Sequence, residues 1–429
     1  MSSINKKKLR MLLACASALA CLTMPAGAQD TKTISVWDLQ TMPGAVKVIR
    51  DAADRFQANH PGYKVEDTHV LNDAYKTKIK IAFGANEPPC VFSTWGGGPL
   101  REYVKAGQVV DLTPYLDKDK AFRDRFLAPS FKAATVDGKV YALPAENTSV
   151  AVIYYNKEIF QALGLTPPAT WDELVKVIEV LKSKDIAPFA LANKAKWPGS
   201  MYYGYLVDRI GGPAVFTKAA QRTDGGSFED KAFIEAGKKL QDLVKMGAFQ
   251  KGYNGADYDV GASRRLLYSG KAAMELMGGW EASIIKGENP DFYKKLGFFA
   301  FPSVPGGKGD PKNLLGTLGD NFISVSSACP EKDAAVDLLK TLTDDKAAAG
   351  RLADARVMPL KGITVEDPMI GKMYKLATEA PSVQLWYDQE LPPSLGEVHK
   401  DTSQELFGLS ITPEEAAKKM EDAAKSATF

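Results

Sequence analysis

The chain has 429 residues, 45% of them hydrophobic, with 54 basic and 52 acidic side chains that leave a formal net charge of +2. That is apolar material enough for two domains with their own cores. A charge this near neutral excludes nucleic acid as the partner, because no basic excess exists to neutralise phosphates.

The N-terminus reads as an export signal. MSSINKKKLR supplies the positive start, residues 11–24 the short apolar run, and Ala26-Gly27-Ala28 a small-residue cleavage site before Gln29. Fourteen apolar residues are too few to span a bilayer, and nothing later approaches the run of about 18 that a membrane helix needs. Cys21, behind Ala18-Leu19-Ala20, loosely resembles a lipid-modified cysteine, but Ala18 stands where leucine is usual, so cleavage after Ala28 is the favoured reading. Cleavage leaves 401 residues, takes the charge to −2, and places the mature protein in the periplasm. Only Cys90 and Cys329 remain, 239 positions apart. A disulfide and two buried free thiols are both open readings.

TISVWDL (residues 33–39) has strand character, residues 46–59 repeat apolar side chains at helical spacing, and KVEDTHV (64–70) alternates after the Pro61-Gly62 turn. A helix over 75–84 and a short buried strand, CVFST (90–94), follow. Repeated βα units predict an α/β fold with a doubly wound, mostly parallel sheet, whose ligand end is the carboxyl edge of the strands. Residues 150–154 read as a strand leading into a helix at Lys157. Thr170 with Glu173 three residues on is a capping box. Further helices are expected over 228–246, 263–268, 332–342 and 413–424, and strands in KAAMELMG, FFAFPSVPGG and LGDNFISVSS.

Catalytic motifs are missing: there is no H-E-x-x-H, G-x-S-x-G, P-loop or C-x-x-C. Three histidines occur; His60 precedes a turn and His399 reads as part of a charged helical face, so no metal or cofactor is expected. A glycosidase needs only two suitably spaced carboxylates and stays open as an alternative.

Aromatic residues recur beside polar ones in loops. Sugars present apolar C–H faces that lie on aromatic rings and hydroxyls that need donors and acceptors, so a sugar site combines the two. The candidates are Trp37 with Asp38 and Gln40; Trp95 with Gly96 and Gly97, whose bare backbone would admit a ligand; Trp197; Trp280; and Trp386 with Asp388. Asp320 and Asn321, at a strand start, join them. Trp171 opens a capped helix and reads as structural.

In order along the chain, the signal peptide, TWGGG, YALPAENTSVAVIYYNKEIF, PPATWDEL, GKAAMELMGGW, LGDNFISVSS and QLWYDQELPP resemble the solute-binding proteins of bacterial carbohydrate ABC transporters, the large cluster that includes maltose-binding protein. The resemblance spans nearly the whole mature chain. It implies two α/β lobes joined by crossing segments and a hinge, with a sugar in the cleft between them. It adds Glu146 and Asn147, in the polar run where the family crosses between lobes, to the candidate binding residues. It also implies a non-catalytic monomer that binds a short oligosaccharide, an α-galactoside such as melibiose or raffinose or a xylo-oligosaccharide, and delivers it to the permease subunits of an importer. A peptide or polyamine receptor on the same fold fits the aromatic loops less well. The expected division is a signal peptide at 1–28, a first lobe of 29–145 plus 298–343, and a second of 146–297 plus 344–429. One departure stands out: PPCVF occupies the place where PPDVF is common in the family.

Overall fold

The computed structural model describes residues 31–427, so the export signal, with Cys15 and Cys21, lies outside the described residues. The chain is an α/β protein of two lobes, each built on a four-stranded sheet, with a third, three-stranded sheet between them.

In the first sheet, Lys32–Asp38 pairs in parallel with Tyr63–His69 on one side and Val91–Thr94 on the other. The helix Pro43–Asn59 covers it because Ala45, Val48, Ile49, Ala52 and Phe56 recur at three- and four-residue steps and are all buried. Phe56 has no exposed surface, and burying one such ring is worth roughly 2–3 kcal/mol. Phe322–Val325 closes the sheet antiparallel to Val91–Thr94. In the second sheet Val152–Asn156 lies between Leu296–Phe299 and Ala272–Met277, antiparallel to both, and Ala187–Phe189 adds a parallel edge. The expected mostly parallel sheet is found in the first lobe, where only Phe322–Val325, returning from the second lobe, runs antiparallel; the second sheet is mixed, with Val152–Asn156 antiparallel to both of its neighbours. Thr170 and Glu173 do cap the helix Trp171–Lys182 reciprocally, and Trp171 is core.

The connecting sheet sets Asn147–Val150 antiparallel to Leu314–Asp320, which carries Val383–Gln384 on its other edge. The expected division shifts at two places. Phe298 and Phe299 pair with Tyr154 and Ile153 and so belong to the second sheet. The helix Asp345–Ala353 packs on Pro43–Asn59 of the first lobe, where Arg55 meets Asp344 at 2.8 Å.

Cys90 and Cys329 are disulfide-bonded, with their Cα atoms 4.6 Å apart. This decides between the two cysteine readings and accounts for the cysteine in PPCVF.

Candidate functional site

A cavity lies between the lobes at the carboxyl end of the first sheet. Its second-lobe wall is aromatic. Trp280 meets Trp197 at 5.9 Å and Trp386 at 5.6 Å between ring centroids, both edge to face, so three indoles form one continuous surface. Tyr258 fixes its middle: Trp280 Nε1 donates to the Tyr258 hydroxyl at 2.8 Å, and that hydroxyl donates to the buried Glu281. Trp95 lines the same cavity from the first lobe, held edge-on against Tyr75 at 5.8 Å. Tyr75 is itself anchored by donating to the Ser93 carbonyl at 2.8 Å.

Four residues of this lining carry polar atoms that lack partners. Trp197 and Trp386 are 8% and 4% exposed, yet the Nε1 of each makes no hydrogen bond among the described residues. Arg356 Nη2 and Gln389 Oε1 are likewise unpaired and buried. Unsatisfied buried polar atoms are costly, and the four residues that carry these all line the one cavity. Asp320 lies at the base, where burial pushes its carboxyl up to about 7 against the opposing Asn321 N–H bond. Burial likewise raises Asp388, although Lys76 favours its charged form.

Lys76, on the helix Asn72–Gly84, reaches across the cavity. Its ammonium sits 5.3 Å from the Trp95 ring centroid and 5.6 Å from that of Trp197, with Asp73 at 3.8 Å. The start of the same helix makes a second inter-lobe contact. Its cap position is Leu71, which has no side chain to offer, and the Asp73 N–H donates instead to Asp259 Oδ2 of the second lobe at 3.0 Å. The first lobe's helix is thus capped from the second lobe.

Of the residues expected at the site, the structure brings Gln40, Trp95, Trp197, Trp280, Asp320, Asn321, Trp386 and Asp388 to this cavity. Six expectations are corrected. Trp37 is on the sheet face opposite Val36 and Asp38, with the Lys78 ammonium 4.0 Å from its ring centroid. Asp38 is buried under the loop, accepting from the Gln40 N–H at 2.7 Å with His69 Nδ1 at 2.9 Å. Gly96 and Gly97 adopt positive φ (74° and 55°), and the approach that they permit is by the chain itself: a Cβ on Gly97 would lie 2.3 Å from the Gln389 carbonyl. Glu146 is buried between Arg351, at 2.7 Å, and Arg356; burial would raise its pKa, but the two guanidinium groups outweigh it and lower it. Asn147 accepts from the Val357 N–H at 3.0 Å and ties the crossing strand to the segment that follows Arg356. His399 is also not on a charged face. It is buried beside Tyr203 and Tyr387, and burial takes its pKa down to about 3.

Lys76, Tyr258, Asp259 and Arg356 line the cavity without having been expected there, and Gln389 lines it as part of the Trp386-Tyr387-Asp388-Gln389 loop that the sequence singles out. The glycine-flanked loop GADYDVG, with an aromatic residue between two aspartates, carried the same signal as the tryptophan loops and could have been found by it. Among the described residues, no cluster of three or more His, Cys, Asp or Glu side chains is disposed to hold a metal, and no helix is long and apolar enough to cross a membrane.

Two lobes, strands crossing between them and an aromatic cavity at the crossing define a two-lobed solute receptor. The chain belongs to the bacterial extracellular solute-binding proteins, whose family model matches residues 41–349. It is similar to the multiple sugar-binding protein of Streptococcus mutans, 30% identical over 305 residues that cover 70% of this chain and 68% of that one. A structure solved in work on xylan utilization by the thermophilic bacterium Caldanaerobius polysaccharolyticus is 32% identical, with a TM-score of 0.84 over 91% of this chain and 99% of its own. A chitin oligosaccharide binding protein is 27% identical, with a TM-score of 0.84 over 93% and 99% of the two chains.

Proposed function

We propose that the protein is a non-catalytic receptor that takes a short oligosaccharide in the inter-lobe cavity and delivers it, as a monomer in the periplasm, to the permease subunits of an ABC importer. The observation that carries this reading is the indole wall of Trp197, Trp280 and Trp386 opposite Trp95, together with unpaired donors on Trp197, Trp386 and Arg356 and an unpaired acceptor on Gln389. Flat pyranose faces stack on such rings, and their hydroxyls complete the bonds that the protein leaves open. A sugar that touches both walls stabilises the closed form, since only that form makes both sets of contacts.

Xylo-oligosaccharides fit better than α-galactosides. The support is the likeness to structures described with xylan utilization and with chitin oligosaccharide binding, both β-linked pyranose polymers with extended, flat chains. The test is a thermal-shift and calorimetric screen of the mature protein against xylobiose, xylotriose, chitobiose, melibiose, raffinose and maltose. Binding raises Tm by linkage, by an amount that grows with the ratio of ligand concentration to Kd, and the sugar is recovered intact after incubation. No shift with any sugar refutes the receptor reading, and hydrolysis products would establish the glycosidase alternative.

A further inference from the structure

A second cavity adjoins the first on the far side of Trp95. It lies among the helices Asn72–Gly84 and Gly97–Lys105 of the first lobe and Pro393–Phe407 of the second. Its lining repeats the composition of the first: apolar contact from Ile79, Tyr103 and Pro393, and charge from Glu102, Glu397 and Lys400. Lys76, Trp95, Asp388 and Gln389 line both cavities and so form the partition between them.

Three of those four are held in place. Trp95 is wedged against Tyr75, and Asp388 and Gln389 belong to the short helix Tyr387–Glu390, whose backbone rests on Gly97. Lys76 is different. Its ammonium has one carboxylate at 3.8 Å and two rings beyond 5 Å, contacts worth on the order of 1 kcal/mol or less apiece at partly exposed sites. A flexible four-carbon stem held this weakly is displaced by a ligand at little cost. Gln389, which lines both cavities beside Lys76, has its Oε1 buried and without a partner.

We propose that the two cavities are one binding site divided by Lys76. The second chamber takes further sugar units beyond those stacked on the indole wall, and the preferred ligand is an oligosaccharide longer than a disaccharide. Trp95 serves both chambers, and Lys76 is the residue that sets the accepted length. This inference rests on the oligosaccharide reading above.

The experiment measures Kd by calorimetry for the β-1,4-xylose series and the chito-oligosaccharide series, from disaccharide to pentasaccharide, on the wild type and on Thr77→Trp. Thr77 is exposed on its helix and lines the second chamber, so an indole there fills the chamber from one side. Glu102→Trp, exposed on the facing helix, does so from the other and serves if the first variant folds poorly. In one series the wild type is expected to bind the tetrasaccharide at least about tenfold more tightly than the disaccharide, equivalent to 1.4 kcal/mol. The blocked variants lose that gain and keep the disaccharide Kd within about twofold. A wild-type Kd independent of length, or a gain that survives both variants, overturns the second chamber and leaves the receptor reading standing. Failure of every sugar at every length overturns both.

Discussion

Removing the Asp259 carboxylate is expected to weaken ligand binding without weakening either lobe. The helix Asn72–Gly84 begins at Leu71 with no side-chain cap of its own, and the bond from the Asp73 N–H to Asp259 exists only when the lobes are together. A helix cap of this kind is worth about 0.5–2 kcal/mol. If the ligand-free protein rests mainly open, that energy belongs to closure, and Asp259→Ala raises the Kd for the cognate sugar by about 2- to 30-fold. The loop itself keeps its internal bonds, since the residue 259 N–H still donates to Asp257, which also pairs with Lys194 at 2.9 Å. Asp259 lines the cavity as well, so loss of a direct sugar contact must be separated from loss of the cap. Leu71→Ser does this by giving the helix a local cap that works equally in open and closed forms. In that background Asp259→Ala is expected to cost less than about twofold, a coupling read from calorimetric Kd values in a double-mutant cycle. Additive effects of the two substitutions would refute the inter-lobe cap.

The other expectations follow from single contacts. Asp320 has its pKa raised to about 7 by burial. Its protonated form therefore contributes stability that is present below the ordinary aspartate range near 4 and is lost as pH rises to about 7; the Tm difference between wild type and Asp320→Asn should fall over that interval and level off above it, and parallel pH curves would contradict the assignment. Trp280→Ala should cost at least about 2 kcal/mol of sugar binding, as central aromatic contacts do, whereas Trp37→Ala, outside the cavity, should leave Kd unchanged; titration of both checks the contrast. Gly97→Ala places a methyl group 2.3 Å from the Gln389 carbonyl at a positive φ, which costs more than the roughly 1–2 kcal/mol of the backbone conformation alone, and it should lower both Tm and affinity because the segment it pushes carries Trp386 and Asp388. Replacing Cys90 and Cys329 together by alanine should lower the unfolding free energy by about 2–5 kcal/mol, measured by denaturant titration.

What could be read from the sequence was what depends on neighbours in the chain. The capping box of Thr170 and Glu173 and the βα alternation of the first lobe rest on local pattern, whereas the two-lobed arrangement followed from the resemblance to sugar-binding proteins. The site was legible where an aromatic residue lies in a loop after a strand, as at Trp95, Trp280 and Trp386. At Trp37 the residue still belongs to the strand, and side-chain alternation sends it to the face opposite Asp38. Glu146 reads as a ligand for want of its partners, since Arg351 and Arg356 are 205 and 210 positions away. His399 sits among Lys400, Asp401 and Glu397, yet the helix turns Leu395, His399, Thr402 and Leu406 inward together. Lys76 carries no local mark at all; only the meeting of the lobes places it between two indoles.

The disulfide encloses more than its two strands. Between Cys90 and Cys329 the chain leaves the first lobe, runs through the whole of the second lobe's sheet and returns, so most of one lobe is a loop whose ends are covalently joined. A protease that nicks this loop once, for example at the exposed turn over Asp224 and Gly225, releases no fragment. The two pieces migrate as one species on a non-reducing gel and separate only when a thiol is added. For a member of an extracellular family, met by extracellular proteases, a single cut need not mean the loss of a lobe.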